Sequence, residues 1–298
     1  MTPKPWHGVL VATALPWRAD DTPDLEAYAA HVAWLAANGC DGVTPNGSLG
    51  EYQVLSDTER DAVVRTAVAA APDGFTVMPG IGAYGARQAR RNAEVAAETG
   101  CPAVMLLPPN SYRASHRDVV EHYRMVAEVG VPIIAYNNPL DTKVDLVPAL
   151  LAQLFHEGLI AGVKEFTGDV RRYWEIAEVA PGLDVLAGSD DVAFELAIAG
   201  SPGWVSGYPN AFPKACTDLW AAARAGDLQT AVPLYRTLHP LLRWDSKTEF
   251  VQAIKLSMDL VPGAIDGGRC QPPRGPLSDA DAATVREATE KALAAGLS

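Results

Sequence analysis

The chain has 298 residues, 48% of them apolar, and carries a formal net charge of −12. That length fits one α/β barrel with an added segment, because such barrels reach about 250 residues as a single domain. The excess of acidic residues repels phosphate backbones and anionic lipid, so we expect neither nucleic acid nor a membrane surface as a partner.

The N-terminal residues carry two prolines and lack the apolar stretch of a signal peptide. No run of about 18 apolar residues follows, which predicts a cytoplasmic protein. Short β-branched runs then alternate with longer Ala-rich amphipathic segments, the pattern of parallel strands joined by crossover helices. Eight strands are predicted, at residues 8–13, 42–45, 75–79, 103–107, 133–136, 160–164, 185–187 and 203–205.

Eight consecutive βα units without a long linker predict a closed (β/α)₈ TIM barrel, an α/β fold, over residues 1–226. Helix candidates run from residue 212 to about residue 260 and from residue 279 to the end. They predict a helical C-terminal extension over residues 227–298 that packs on the barrel.

Cofactor patterns are weak in this sequence. Gly80-Ile81-Gly82-Ala83-Tyr84-Gly85 has the form of a dinucleotide fingerprint, but the next strand runs into Pro108-Pro109 where an acidic residue is required. The 6 histidines show no metal-ligand spacing, and the 4 cysteines form no C-x-x-C pair. We expect neither a dinucleotide nor a metal.

Reactive side chains that end a strand are the candidates for chemistry, because a barrel places its active site at the carboxyl ends of its strands. Lys164 ends the sixth strand and is the only lysine expected at the barrel mouth. Desolvation there would disfavour its charged form and make the amine a nucleophile. From position alone, the alternative is an outward lysine paired with Glu165.

Two further features lie at the same rim. Tyr136 ends the fifth strand, where it could move protons near Lys164 or serve as an ordinary core tyrosine. Gly47-Ser48-Leu49-Gly50 could seat a carboxylate on its backbone N–H groups and the serine hydroxyl, or could be a plain glycine-rich turn.

Four segments together carry a resemblance: Gly47-Ser48-Leu49-Gly50-Glu51, Tyr136-Asn137-Asn138-Pro139, Val163-Lys164-Glu165 and Gly188-Ser189-Asp190-Asp191. In order and spacing, the chain resembles the dihydrodipicolinate synthase / N-acetylneuraminate lyase family from Trp6 to about Leu277.

The resemblance implies that Lys164 forms an imine with a small 2-oxo acid and that Tyr136 shuttles protons. It implies that Ser48, with the amides of Gly47 and Leu49, holds the substrate carboxylate. Val205 and Ser206 would line the pocket. No metal or organic cofactor would be needed, and the protein would be a homotetramer, a dimer of dimers.

Three residues depart from the synthases of that family. Leu49 stands where they have a second hydroxyl, and Asp141 stands where they have a carboxylate-binding arginine. Tyr112, in Pro109-Asn110-Ser111-Tyr112, is one place off the tyrosine that a neighbouring subunit contributes. We keep Tyr112 and Asp141 as candidate substrate contacts.

These departures, with Pro272-Pro273-Arg274 among other segments, favour the catabolic branch of the family. That branch includes deaminases of hydroxyproline-derived pyrroline carboxylates and dehydratases or aldolases of deoxy-2-oxo sugar acids. Dihydrodipicolinate synthase or sialic acid lyase activity stays an alternative, as does a non-catalytic barrel that binds a 2-oxo acid.

Overall fold

The computed structural model describes residues 3–110 and 112–298, so Ser111 lies outside the described residues. Its strands lie at the predicted positions, within about two residues at either end, because β-branched runs bounded by turn residues favour buried parallel strands. They are β1 (Gly8–Ala12), β2 (Gly42–Thr44), β3 (Thr76–Val77), β4 (Val104–Leu106), β5 (Ile133–Asn137), β6 (Gly162–Glu165), β7 (Asp184–Ala187) and β8 (Gly203–Ser206).

The eight strands form one parallel sheet in the order β3-β2-β1-β8-β7-β6-β5-β4. A parallel bridge between Gly80 and Met105 joins β4 to the segment after β3. There the N–H of Met105 donates to the carbonyl of Pro79, and the N–H of Ile81 donates to the carbonyl of Met105, both at 2.9 Å. The sheet therefore curls round on itself, which confirms the predicted TIM-barrel fold.

Helices follow each strand and cover the outside of the sheet. A capping box of Ser56 and Glu59 starts the helix after β2. The helices of the βα units are α1 (Leu25–Ala37), α2 (Asp57–Ala70), α3 (Ala86–Glu98), α4 (His116–Ala127), α5 (Pro139–Thr142), α6 (Pro148–His156), α7 (Arg171–Val179), α8 (Ala193–Ala199) and α9 (Pro213–Arg224).

Three more helices follow, α10 (Leu228–Leu242), α11 (Phe250–Leu260) and α12 (Asp279–Ala294). The helix candidates predicted at residues 212–260 are three helices, α9, α10 and α11. The proposed boundary after residue 226 falls between α9 and α10 and stays a prediction. Across the described ranges, no helix is both long enough and apolar enough to cross a membrane.

Buried side chains form three clusters that fix where the site can be. One fills the space between the sheet and helices α1 to α7. A second joins β1, β7 and β8 to α8, α9 and the extension. The third fills the barrel interior and includes Leu10, Met105, Ile134, Tyr136 and Val205. The described side chains pack this interior, so we look for the site at the barrel mouth, where barrel enzymes bind their ligands.

Candidate active site

A cavity of about 650 Å³ opens at the carboxyl ends of the strands. Six of the residues singled out in the sequence line it: Gly47, Ser48, Leu49, Tyr136, Asp141 and Lys164. Its volume lies in the range of small-molecule sites. The cavity therefore brings together the turn after β2, the ends of β5 and β6, and helix α5.

Lys164 lies inside the barrel mouth beside Tyr136, with which it pairs across β5 and β6. Its side chain is 5% exposed, and its Nζ lies 4.4 Å from the centre of the Tyr136 ring and 5.6 Å from that of Phe166. Among the described residues, no hydrogen bond or ion pair engages this Nζ. The amine faces the cavity without a fixed partner.

The surroundings of Lys164 favour its neutral form. Burial lowers the pKa of Lys164, and the carboxylates of Asp245 and Asp190 oppose that shift. Desolvation is the largest of these effects, since a charged amine loses most of its hydration in the barrel mouth. A neutral amine with a free lone pair is the form that attacks a carbonyl.

Gly188, directly after β7, makes room for this lysine. A Cβ at Gly188 would lie 2.5 Å from the carbonyl oxygen of Glu165 and 3.0 Å from Cγ of Lys164. No real Cβ approaches a backbone oxygen so closely. The glycine of the Gly188-Ser189-Asp190-Asp191 segment is therefore required first by the β6 backbone at Glu165 and then by the Lys164 side chain.

Glu165 lies on the other face of β6 and does not pair with Lys164. Its carboxylate accepts from Asn137 Nδ2 at 2.9 Å and from the N–H of Thr167 at 2.8 Å. Successive side chains of a strand point to opposite faces, which separates the two residues. The structure therefore excludes the alternative of an outward lysine paired with Glu165.

Lys255, on α11, is also buried but has a different setting. It is 1% exposed, and its Nζ donates to the carbonyls of Leu15 and Arg269 at 2.9 and 2.8 Å and to Glu51 Oε2 at 3.1 Å. All three N–H donors of an ammonium group are thus used. Lys255 is a structural cation, and Lys164 is the reactive candidate.

The phenol of Tyr136 keeps its proton. Burial raises its pKa well above the ordinary value, and Asn138 Nδ2 donates to the phenol oxygen at 3.3 Å. The ring meets Phe166 edge-on, with centres 6.1 Å apart. Asn138 Nδ2 also donates to Asp141 Oδ2 at 2.8 Å, so one amide links the tyrosine to the start of α5.

The turn after β2 leaves backbone donors available. The N–H groups of Gly50 and Tyr52 donate to the carbonyl of Gly47 at 3.1 and 3.4 Å. Within the described chain, the N–H groups of Ser48 and Leu49 donate to no protein acceptor. Together with the half-buried Ser48 hydroxyl, they are suited to bind a carboxylate.

Leu49 puts an apolar side chain at the cavity, in the turn after β2. It is 2% exposed and belongs to the cluster that includes Ile254 of α11. A Cβ at Gly207, another cavity residue, would lie 3.6 Å from Leu49 Cδ2. This wall of the cavity therefore offers packing surface and no proton relay.

Three residues predicted to contact the substrate do not line the cavity. Tyr112 is 55% exposed and does not line the cavity in this single chain. Val205 packs in the barrel interior, and Ser206 is buried beside Asp190. The residue of this segment that lines the cavity is the next one, Gly207.

Asp190 fixes the loop after β8. It accepts from Trp204 Nε1 at 3.0 Å and from the N–H groups of Gly207 and Tyr208 at 3.1 and 3.0 Å. Burial raises the pKa of Asp190 to about 6, although the hydrogen bond from Tyr208 opposes the shift. Its role is to position the segment that carries Gly207.

The extension contributes cavity residues that were not among the candidates from the sequence. Asp245 and Lys247, between α10 and α11, and Arg274, before α12, line the same cavity. Lys143 does so as well, so the expectation that only Lys164 faces the barrel mouth is wrong. Nothing in the sequence shows that the loops of the extension fold over the barrel.

The charged residues of the cavity are predominantly basic. Lys143, Lys164, Lys247 and Arg274 stand against Asp141 and Asp245. Burial raises the pKa of Asp245 well above its ordinary value, with Asp190 adding to the shift and Lys164 opposing it. In a chain of net charge −12, this cavity favours an anionic ligand.

Comparisons with known proteins agree with this geometry. A sequence model of the Dihydrodipicolinate synthetase family matches residues 5–292. The 4-hydroxy-tetrahydrodipicolinate synthase of Anaeromyxobacter dehalogenans is 32% identical over 286 residues, which cover 95% of this chain and 96% of that protein. An uncharacterized DapA-like lyase of Halobacterium salinarum is 31% identical, with coverage of 94% and 91%.

Solved structures show the same architecture. The dihydrodipicolinate synthase of Aquifex aeolicus superimposes with a TM-score of 0.90 at 26% identity, covering 96% of this chain and 98% of that one. YagE of E. coli K12, a prophage protein of the dihydrodipicolinic acid synthase family in complex with pyruvate, gives a TM-score of 0.88 at 26% identity with the same coverage.

Proposed function

Because this chain belongs to the dihydrodipicolinate synthetase family, a family of class I lyases and aldolases, we propose that it is a lyase that forms an imine between Lys164 and a small 2-oxo acid. The observation that carries the proposal is the state of Lys164. Its amine is buried, faces the cavity and has no fixed partner among the described residues. Lys255 is buried too, but its three hydrogen bonds leave it no freedom to react.

The proposed reaction begins with attack of the neutral Lys164 amine on the 2-oxo carbon. An N–C bond forms, the carbonyl electron pair moves to oxygen, and that oxygen takes a proton from the Tyr136 phenol. The raised pKa of Tyr136 means that the phenol begins protonated and acts first as a donor. The resulting phenolate takes a proton from the amine nitrogen and passes it to the hydroxyl, which leaves as water. The products are an iminium ion and Tyr136 as phenolate.

The iminium ion accepts the electron pair of a bond broken next to the former carbonyl. That bond can be C–H at C3, or C–C between C3 and C4 in an aldol cleavage. Tyr136, as phenolate after its first step, is placed to take up a proton at this stage. The N–H groups and hydroxyl of the Ser48 turn would hold the substrate carboxylate throughout, since they donate to no acceptor among the described residues.

We propose first the reactive group of the substrate and then its compound class. The bound pyruvate of the YagE structure supports a 2-oxo acid as the imine-forming partner. Leu49 and Asp141 support a catabolic member acting on a hydroxyproline-derived pyrroline carboxylate or a deoxy-2-oxo sugar acid.

A homotetramer is proposed with it, supported by exposed apolar side chains such as Tyr112, Leu140 and Trp174. Sedimentation analysis measures that assembly.

Parallel assays of ammonia, pyruvate and water-loss products across pyrroline carboxylates and deoxy-2-oxo sugar acids test the function. We expect turnover of one substrate class, abolished in Lys164→Ala and reduced by several orders of magnitude in Tyr136→Phe. Lys214→Ala, a change on the exposed face of α9, serves as the matched control. Binding of 2-oxo acids that survives Lys164→Ala, without turnover of any compound, would favour a non-catalytic barrel instead.

A further inference from the structure

The extension presents a positioned guanidinium to the cavity. Arg274 is half-buried, its Nη1 donates to the carbonyl of Thr248 at 3.2 Å, and its Cζ lies 5.5 Å from the centre of the Phe250 ring. Thr248 and Phe250 line the same cavity. Arg274 is therefore held at the cavity wall from two sides.

Most of the hydrogen-bonding capacity of Arg274 is unused. Among residues 3–110 and 112–298, no carboxylate pairs with it, and its Nε and Nη2 donate to no protein acceptor. A guanidinium offers its N–H groups in a planar fork that matches the two oxygens of a carboxylate. The free side of this fork is what a carboxylate ligand needs.

A second cation stands close to Arg274 in the same wall. Lys247 belongs to the loop that also carries Thr248, and its Nζ lies 3.6 Å from the centre of the Trp244 ring. That contact holds the ammonium group by its attraction to the indole face. On the α5 side of the cavity, Asp141 and Lys143 offset each other in charge. On the extension side, Lys247 and Arg274 outnumber Asp245, so a negative group is favoured there.

The cavity is larger than pyruvate needs. A water molecule takes about 30 Å³ of liquid volume for its one heavy atom, so pyruvate, with six bonded heavy atoms, fills at most on the order of 180 Å³. The cavity holds about 650 Å³. A substrate with its 2-oxo group at Lys164 and its carboxylate at the Ser48 turn leaves most of the volume for a longer chain that can reach the extension.

We propose that Arg274, assisted by Lys247, binds a second carboxylate at the end of the substrate remote from the 2-oxo group. The preferred substrate class is then a 2-oxo dicarboxylic acid. Of the two classes proposed above, this favours a deoxy-2-oxo sugar acid with a carboxylate at each end over a pyrroline carboxylate, which has one. The inference rests on the proposed imine at Lys164, which anchors the other end of the molecule. It assigns to the extension the selection of the substrate, while the barrel supplies the chemistry.

A matched pair of ligands tests the second carboxylate. 2-Oxoglutarate and 2-oxopentanoate have the same number of carbons and differ only in a carboxylate or a methyl group at C5. Borohydride trapping gives the half-saturating concentration of each from the labelled fraction by intact mass. We expect 2-oxoglutarate to half-saturate the wild-type protein at a concentration roughly ten-fold lower.

Variants test whether Arg274 causes the preference for 2-oxoglutarate. Arg274→Gln should remove most of the preference, and Arg274→Lys, which keeps the charge, should retain part of it. Arg243→Gln, an exposed residue of the extension outside the cavity lining, should retain all of it. Thermal melts establish that each variant is folded. No preference in the wild-type protein, or a full preference in folded Arg274→Gln, would overturn the inference.

Failure of the imine chemistry can be told apart from failure of this inference. If no 2-oxo acid labels Lys164, the proposed function is wrong. Calorimetry with glutarate and pentanoate, which lack the carbonyl, then decides the second carboxylate alone. Stronger binding of glutarate that Arg274→Gln abolishes supports the carboxylate site, and equal binding of the two ligands refutes it.

Discussion

Breaking the buried ion pair of Glu51 and Lys255 is expected to destabilise the whole molecule. Glu51, in the turn that follows Ser48, is 2% exposed and accepts from Trp17 Nε1 and from the N–H of Gln271, both at 2.8 Å. Lys255 brings the compensating charge from α11. The pair therefore joins the turn proposed to bind the substrate carboxylate to the C-terminal extension.

The change Lys255→Met keeps the length of the side chain but leaves the Glu51 carboxylate buried without a cation. Removing one partner of a buried pair costs about 3–5 kcal/mol, because the remaining charge is uncompensated. Glu51→Gln should cost a similar amount, since Lys255 is then buried without a compensating negative charge. The double variant should cost clearly less than the two single changes added together.

Urea unfolding of the four proteins measures these free energies. Lys214→Met, which removes an exposed helix pair with Asp218, is the control and should cost less than about 0.5 kcal/mol. A loss below about 1 kcal/mol for Lys255→Met, or strict additivity in the double variant, would refute the argument. It would mean that water or a rearranged side chain compensates Glu51.

Three further predictions concern pH and packing. Asp245 raises the pKa of Lys164, so Asp245→Asn should move the ascending limb of the pH profile of imine formation to lower pH. Burial lowers the pKa of His31 and of His122 to about 4. Each Nδ1 has no partner in the described structure, so neither ring has an acceptor for a second proton. Stability to urea should be full above pH 6.5 and fall as pH drops from about 6.5 towards 4, by about 3 kcal/mol for each ring. Gly188→Ala should lower stability and slow the trapping of 2-oxo acids at Lys164, because its Cβ meets the backbone of β6.

Each of these three predictions has a control variant or an outcome that would contradict it. Asp218→Asn, on the surface of α9, should leave the pH profile in place, whereas a shift of Asp245→Asn to higher pH would reverse the assigned sign. A urea midpoint that is constant from pH 7 to about 4.5 would show that the histidines are not buried as neutral rings. Gly85→Ala, with no atom within 4 Å of the added Cβ, is the matched control for Gly188.

The fold could be predicted because its signals are local. Eight β-branched runs, each followed by an amphipathic segment, define the strands to within about two residues. Residues 243–249, between α10 and α11, contain neither glycine nor proline, so no local signal marks the break between these helices. Side chains of this segment reach the cavity through tertiary packing, which a local sequence pattern does not show.

Part of the candidate site could also be predicted from local signals in the sequence. Lys164 and Tyr136 end strands, and the barrel rule places strand ends at the active site. Asp245 and Arg274 belong to loops of the extension, and their approach to the cavity depends on how α11 packs against β8 and the turn after β2. The distinction between Lys164 and Lys255 also required the structure, because only the hydrogen bonds separate two buried amines.

The central claim is that Lys164, and no other lysine, forms the imine. Its most direct test is incubation with pyruvate and with longer 2-oxo acids, reduction with borohydride, and mass spectrometry of the peptides. The account predicts a single adduct on Lys164, absent in Lys164→Ala, with Lys255 unmodified. An adduct on Lys255 or on a surface lysine, or none with any 2-oxo acid, would contradict it.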